Sequence, residues 1–399
     1  MVTLLRFGRV AIAVLLLSGV AWALSSREVA GAGSASPAAP VLLRAAAESS
    51  RGAVETLRIP EDGRIPRAIV DTRGTVHLVY VQGGTSRANL FHVTRELGAA
   101  GWSEPQRVNS QELSVSGVGP IDGAQLALGP DNRLHVVWLQ SEPARFFYAR
   151  SRPDGSGFEP QRDLSTGDEG SLEAGPAVAT DRRGNVYVFW HAGASEDARR
   201  RVYLTASRDA GTTFEPPRPV GQATEGACAC CGLATVSDPD GAVHVSYRGA
   251  GDNVRRGQRL LTSTDHGRTF SDRLVHPWEL GACPVSTTNL SVGPAGLTAA
   301  WETQGQVYFA DVDRLDAVRS PPGRARFRRK NPAVAVDSRG DTLLAWGDGP
   351  GFSFGGSLHW QLFDVAGRPV GEQGGGAGTV ISGSTAAAVV QNGRFLVIF

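Results

Sequence analysis

Lysine is almost missing from this chain of 399 residues: Lys330 stands alone beside 39 arginines. Such an imbalance is compositional bias, so abundant arginine does not by itself mark an anion-binding surface. The formal net charge is only +1, which excludes a whole-chain field favouring nucleic acid or an anionic membrane. Basic stretches such as Arg199–Arg201 and Arg324–Lys330 read as solvated loop faces. Beyond the N-terminus there is no sustained helical periodicity, and no apolar run approaches the roughly 20 residues that span a bilayer. No Ser-His-Asp arrangement, phosphate loop or HExxH motif is present, and nothing points to a nucleotide cofactor. Cysteine is scarce too, four in all, but the four are crowded together.

The first 24 residues have the form of an export signal. Arg6 and Arg9 supply a positive start, Val10–Leu17 opens an apolar stretch reaching Leu24, and Ala21-Trp22-Ala23 offers a small-x-small cleavage site. Residues 25–40 are rich in Ala, Gly, Ser and Pro and read as a flexible linker. The expectation is a periplasmic or secreted protein without stable membrane insertion, in a compartment where disulfides persist. Residues 41–399 are then a single domain.

That domain is built on one recurring phrase. An apolar run, an Asp/Gly turn and an alternating run ending in an aromatic appear as RIPRAIVDTRGTVHLVY (Arg64 to Tyr80), AQLALGPDNRLHVVW (to Trp138) and GPAVATDRRGNVYVFW (to Trp190). Weaker copies end at Tyr247, Trp301, Trp346 and Phe399. Period-two alternation around Asp and Gly is the signature of a β-hairpin. Two further short strands fit between copies, for example Arg145–Ser151 and Arg201–Ser207. Four strands per repeat, at a period of about 50–57 residues, define a propeller blade. The chain therefore reads as an all-β propeller of seven blades, with six as the alternative. The seventh copy stops after two strands, so N-terminal strands at Val41–Ala47 and Val54–Ile59 are expected to complete it and cover the open edge.

A second phrase follows the third strand of some repeats. Ser207-Arg208-Asp209-Ala210-Gly211-Thr212-Thr213-Phe214 and Ser263-Thr264-Asp265-His266-Gly267-Arg268-Thr269-Phe270 match each other, and Ser151–Phe158 is a degraded copy. These resemble the Asp-box (BNR) repeats of sialidase-like propellers, in which Asp and Ser cap the turn and the aromatic packs between sheets. The four cysteines together with Tyr247-Arg248 resemble a pattern of bacterial exported members of that group. Arg64-Ile65-Pro66 resembles the entry of the first sialidase blade, where arginine binds a substrate carboxylate. The resemblance would make Arg64 and Arg248 substrate arginines and Tyr308, or Tyr247, the nucleophile; a third arginine and a Tyr–Glu pair are not found.

Propeller geometry sends the starts of innermost strands and the ends of second strands to one face. That face collects Arg64, Asp122, Glu173, Cys230, Cys231, Cys283, Lys330 and Asn331 from the starts, and Gln82, Gln140, His191, Arg248, Glu302 and Asp348 from the ends. The opposite face has only Asp/Gly turns, so ligand binding is expected on the varied face. Cys228, Cys230 and Cys231 precede blade four and Cys283 precedes blade five, 52 residues after Cys231. Three readings stand: disulfides, with three possible pairings; a soft metal, Cu or Zn, held by these thiolates and His191; or a free, redox-active pair. His77, His135 and His244 recur at matching strand positions and read as structural.

The expected role is binding of a glycan, protein partner or metal by a monomer through the varied face. The alternative is an exo-sialidase-type glycoside hydrolase acting on acidic sugars.

Overall fold

The computed structural model describes residues 53–117, 119–165, 174–193, 196–325, 327–349, 356–380 and 385–399. The expected export signal, the linker, Val41–Ala47, Glu173 and Ser384 lie outside the described residues.

The alternating runs fold as the hairpins they resemble. Seven sheets follow one another along the chain, antiparallel throughout except for one parallel pair in the last. Their innermost strands are Arg64–Val70, Ala124–Leu128, Ala177–Thr180, Ala234–Ser237, Thr288–Gly293, Arg329–Val336 and Ala387–Gln391. Each packs beside the innermost strand of the next blade, and the last returns to the first, which closes a ring of seven rather than six. Five sheets have four described strands; those of blades five and seven have three. In blade five, a bridge from Phe309 to Arg319 stands where the fourth strand would run. Among the described residues helix is confined to two single turns, Pro60–Asp62 and Leu315–Ala317.

Blade seven is closed by the N-terminal side of the chain, as expected. Val54–Leu57 lies parallel to Arg394–Ile398, with Val54 opposite Phe395 and Leu57 opposite Ile398. Phe399 N–H donates to Leu57 C=O at 3.0 Å, and Ile59 N–H donates to Phe399 C=O at 3.0 Å. Sequence-distant segments thus share one sheet, and an edge that could pair with a stranger is covered.

The aromatic toward the end of the second strand is core in blades one to six. Trp138, Trp190, Trp301 and Trp346 are fully buried, and Tyr80 and Tyr247 are buried in the same role. The geometry shared by the two turns comes from side-chain oxygens satisfying backbone donors. Asp209 Oδ1 accepts from Thr213 N–H at 2.8 Å and Thr212 N–H at 3.0 Å, while Ser207 Oγ accepts from Gly211 N–H at 2.8 Å. Asp265 and Ser263 do the same for Thr269, Arg268 and Gly267. Phe214 then meets Tyr148 of blade two at 4.9 Å, and Phe270 meets Phe189 of blade three at 5.9 Å. Each such turn locks its blade to the one before it.

Candidate functional site: the channel mouth and the cysteine cluster

The seven innermost strands enclose a central cavity of about 460 Å³. Its walls are mostly Ala, Val, Leu and Ile, because small and β-branched side chains fill the crowded axis. Among its described lining residues Arg67 is the sole charge. The Arg67 guanidinium donates to Pro66 C=O at 3.0 Å and Thr385 Oγ1 at 3.4 Å. It has no acidic partner among the described ion pairs, and burial pulls its pKa down to about 10. Thr287, Asn331 and Thr385 stand around it at the mouth formed by the strand starts.

The backbone at this mouth is strained. Ile65 (φ 54°) and Val285 (φ 46°) are β-branched residues in left-handed conformation, and Asn331 (φ 55°) joins them. All three enter an innermost strand, at blades one, five and six. The pairing register shifts just there, between Arg64 and Arg67 and between Lys330 and Ala333. Such conformations cost about 1–3 kcal/mol each and gather where side chains are aimed for function. Ile65-Pro66 forms such a bulge and lets Arg67 project inward. Arg64 points elsewhere, donating to Gly83 C=O at 2.8 Å and Gly84 C=O at 3.1 Å.

The cysteines occupy the entry to blade four. Cys231 N–H reaches Cys228 C=O in a tight turn at 3.3 Å, and Gly232 N–H donates to Ser286 C=O on blade five at 2.9 Å. From blade three, Asp197 Oδ1 accepts from Ala229 N–H at 3.2 Å, and Asp197 Oδ2 pairs with Arg256 at 2.7 Å. Cys230 is bonded to Cys283, with Cα atoms 6.6 Å apart. Cys228 and Cys231 are free thiols in the core, their sulfurs 2.9 Å apart; the Cys228 sulfur is 3.5 Å from that of Cys230. Burial opposes ionisation of Cys231, but the Cys228 thiol donating to it, the Arg248 charge and Ser286 bring its pKa down to about 7. Cys228 goes up, because it holds the shared proton and is buried.

Arg248 lies directly behind this cluster and is 1% exposed. Its Nε donates to Ser286 Oγ at 3.2 Å, Nη1 to Arg256 C=O at 2.9 Å, and Nη2 to Glu302 C=O; its plane lies 5.1 Å from the Trp278 ring. The guanidinium is spent on protein groups. Glu302 is buried, its Oε1 accepts from Gly305 N–H at 2.9 Å and its Oε2 has no hydrogen-bond partner. Burial pushes its carboxyl above the ordinary range. Tyr308 sits between blades, stacked on His276 at 5.0 Å and Trp301 at 6.2 Å.

Arg64 on blade one, Arg248 on blade four and Tyr308 on blade five are therefore each engaged locally, and no described contact joins them. The structure does bring Cys228, Cys230 and Cys231 together, with ligand atoms all within 4.8 Å of one another. His191 is not part of that group. It is buried, neither ring nitrogen has a hydrogen-bond partner, and burial with the nearby Arg200 charge lowers its pKa to about 3. Cys283 is tied to Cys230, whose sulfur is no thiolate ligand in this state. Arg67 and the buried role of Arg248 were missed from sequence. The Pro before Arg67 and the break in alternation at Ile65-Pro66 were the available signal.

No protein-family model matches the sequence, and no curated protein matches it. Solved structures do match in fold. An α-L-arabinofuranosidase of glycoside hydrolase family 93 from Fusarium graminearum, complexed with arabinobiose, is 11% identical, with 78% of this chain and 97% of that one covered and a TM-score of 0.54. An α-L-arabinanase from Penicillium chrysogenum is 13% identical, with 77% and 95% covered and a TM-score of 0.50. A Trypanosoma rangeli sialidase is 11% identical, with 74% and 54% covered and a TM-score of 0.50. At such identities the likeness is one of fold alone, and the fold is that of the sialidase-like β-propellers.

Proposed function

We propose that this protein is an exported, monomeric carbohydrate-binding propeller that takes a carboxylate-bearing sugar at the varied mouth of its channel. Arg67 is the observation that carries the reading. An arginine without an acid, inside a channel whose other described lining groups are uncharged, is stabilised by a ligand carboxylate. Thr287, Asn331 and Thr385 beside Arg67 provide neutral polar groups of the kind that recognise hydroxyls. The solved propellers of similar fold include carbohydrate-active enzymes with a bound disaccharide, which supports a sugar over a protein ligand.

The test is calorimetric titration with N-acetylneuraminic acid, galacturonic acid and the neutral arabinobiose, on wild type and Arg67→Ala. An acidic sugar should bind and the neutral one should not. Loss of a charge-assisted pair of about 1.5–3 kcal/mol should weaken the variant by roughly 10- to 100-fold. Equal affinity in Arg67→Ala rejects the reading.

Hydrolysis is the second reading, and Glu302 favours it. A buried carboxyl with a raised pKa and one unpartnered oxygen suits a general acid. Release of 4-methylumbelliferone from a sialoside or arabinofuranoside, abolished by Glu302→Gln at unchanged stability, would support it. No release by wild type removes it.

A further inference from the structure

The four sulfurs form one contiguous cluster, bent at Cys228, that reaches from the interior to the surface. Cys231 is fully buried; Cys228 lies 2.9 Å from it and 3.5 Å from Cys230; Cys230 is bonded to Cys283, which is exposed. We propose that this cluster is a thiol–disulfide relay, passing two electrons from the buried Cys228/Cys231 dithiol to a low-molecular-weight disulfide arriving at Cys283. No cysteine is among the described residues that line the channel mouth, although Val285 and Ser286 join the two regions; thiol labelling and sugar titration read the two sites separately.

Each step is an exchange in which one S–S bond forms as another breaks. The Cys228 thiol gives its proton to Cys231, and its sulfur attacks Cys230. The Cys230–Cys283 bond breaks, a Cys228–Cys230 bond forms, and Cys283 leaves as a thiolate. Cys231 then attacks Cys228, giving its proton to the departing Cys230. The buried pair is now a disulfide, and Cys230 and Cys283 are both reduced. The Cys283 thiolate attacks the external disulfide and releases one thiolate; Cys230 attacks the mixed disulfide, giving its proton to the leaving sulfur, and releases the second as a thiol. The sum is one dithiol oxidised, one external disulfide reduced, and Cys230–Cys283 restored.

The surroundings fit this chemistry. Arg248 Nε donates to Ser286 Oγ at 3.2 Å, and that hydroxyl donates to the Cys231 sulfur at 3.5 Å. Positive charge is thereby delivered through a hydrogen bond to the innermost sulfur, where a thiolate would otherwise be costly. A propeller of this size has core enough to need no staple. A staple at Cys230–Cys283 would also leave two further thiols in exchange distance without a purpose. A metal would find only two thiolates while Cys230 is bonded to Cys283.

The experiment uses folded wild-type protein treated with a limiting amount of glutathione disulfide, quenched in acid and denaturant. Free thiols are labelled with light N-ethylmaleimide and, after reduction, the rest with heavy reagent; tandem mass spectrometry locates each label. The relay places heavy label on Cys228 and Cys231 while tryptophan fluorescence stays native. It also makes that oxidation at least tenfold slower in Cys283→Ser. If Cys283→Ser does not fold, the wild-type pattern decides alone. Heavy label confined to Cys230 and Cys283 overturns the proposal, as does stoichiometric copper or zinc in the protein as isolated.

Discussion

Arg248→Met separates a structural arginine from a ligand-binding one. The substitution keeps most of the aliphatic stem and removes three hydrogen bonds, to Ser286 Oγ, Arg256 C=O and Glu302 C=O. Bonds from a charged donor contribute about 1.5–3 kcal/mol each. The gross loss is partly offset because burying the cation was itself unfavourable, as the burial-lowered pKa of Arg248 reflects. Two buried carbonyls are left unpaired, so the net expectation is a destabilisation of about 3–5 kcal/mol. Urea unfolding followed by tryptophan fluorescence measures it directly. The same change removes the positive charge facing Cys231, so titration of that thiol should move up from about 7. A loss below about 1 kcal/mol, with an unshifted thiol and weakened binding of an acidic sugar, would refute the reasoning and return Arg248 to the ligand.

Three other outcomes follow from the turns and the ring. Hydrogen bonds from Thr213 and from Thr269 depress the carboxyls of Asp209 and Asp265 below the ordinary 3.8. Their stabilisation is therefore present above about pH 4 and lost as pH falls through the folded-state value. The Asp209→Asn, Asp265→Asn double variant should be less stable at pH 7 and show a flatter melting-temperature profile below pH 4. Gly211 sits at φ 79°, and a Cβ there would lie 1.8 Å from the Tyr148 hydroxyl. Gly211→Ala should cost about 2 kcal/mol or more by denaturant midpoint, whereas the same change at Gly74, where a Cβ meets open space, should cost only its φ penalty. Deleting the chain through Leu57 strips Arg394–Ile398 of its parallel partner and should lower the melting temperature and promote self-association, measured by light scattering.

Local rules reach far into this chain because a blade is a local object. The hairpins starting at Arg64, Ala124 and Asn331 could be placed within a few residues, since alternation and Asp/Gly turns are encoded over fewer than twenty positions. The turn caps at Asp209 and Asp265 follow from a side chain bonding its own loop. The partner of Val54–Leu57 was legible because a two-stranded final copy leaves an edge that must be covered.

The sites were less legible. Arg64 carries the tripeptide that resembles a substrate arginine, yet a bulge turns its neighbour Arg67 into the channel instead. Arg248 stands at the end of a second strand like other residues of the varied face, but its guanidinium is consumed by carbonyls of its own blade and the next. Four cysteines allow three pairings in sequence; the approach of blades four and five chose Cys230 with Cys283 and left Cys228 against Cys231. The sequence by itself determined the repeat, the blade and the face on which variety gathers, because period and turn chemistry act between near neighbours. Only the tertiary structure decided which guanidinium lacks an acidic partner and which cysteine bonds Cys283, because Arg67–Thr385 and Cys230–Cys283 join residues tens to hundreds of positions apart and depend on how blades seat against each other.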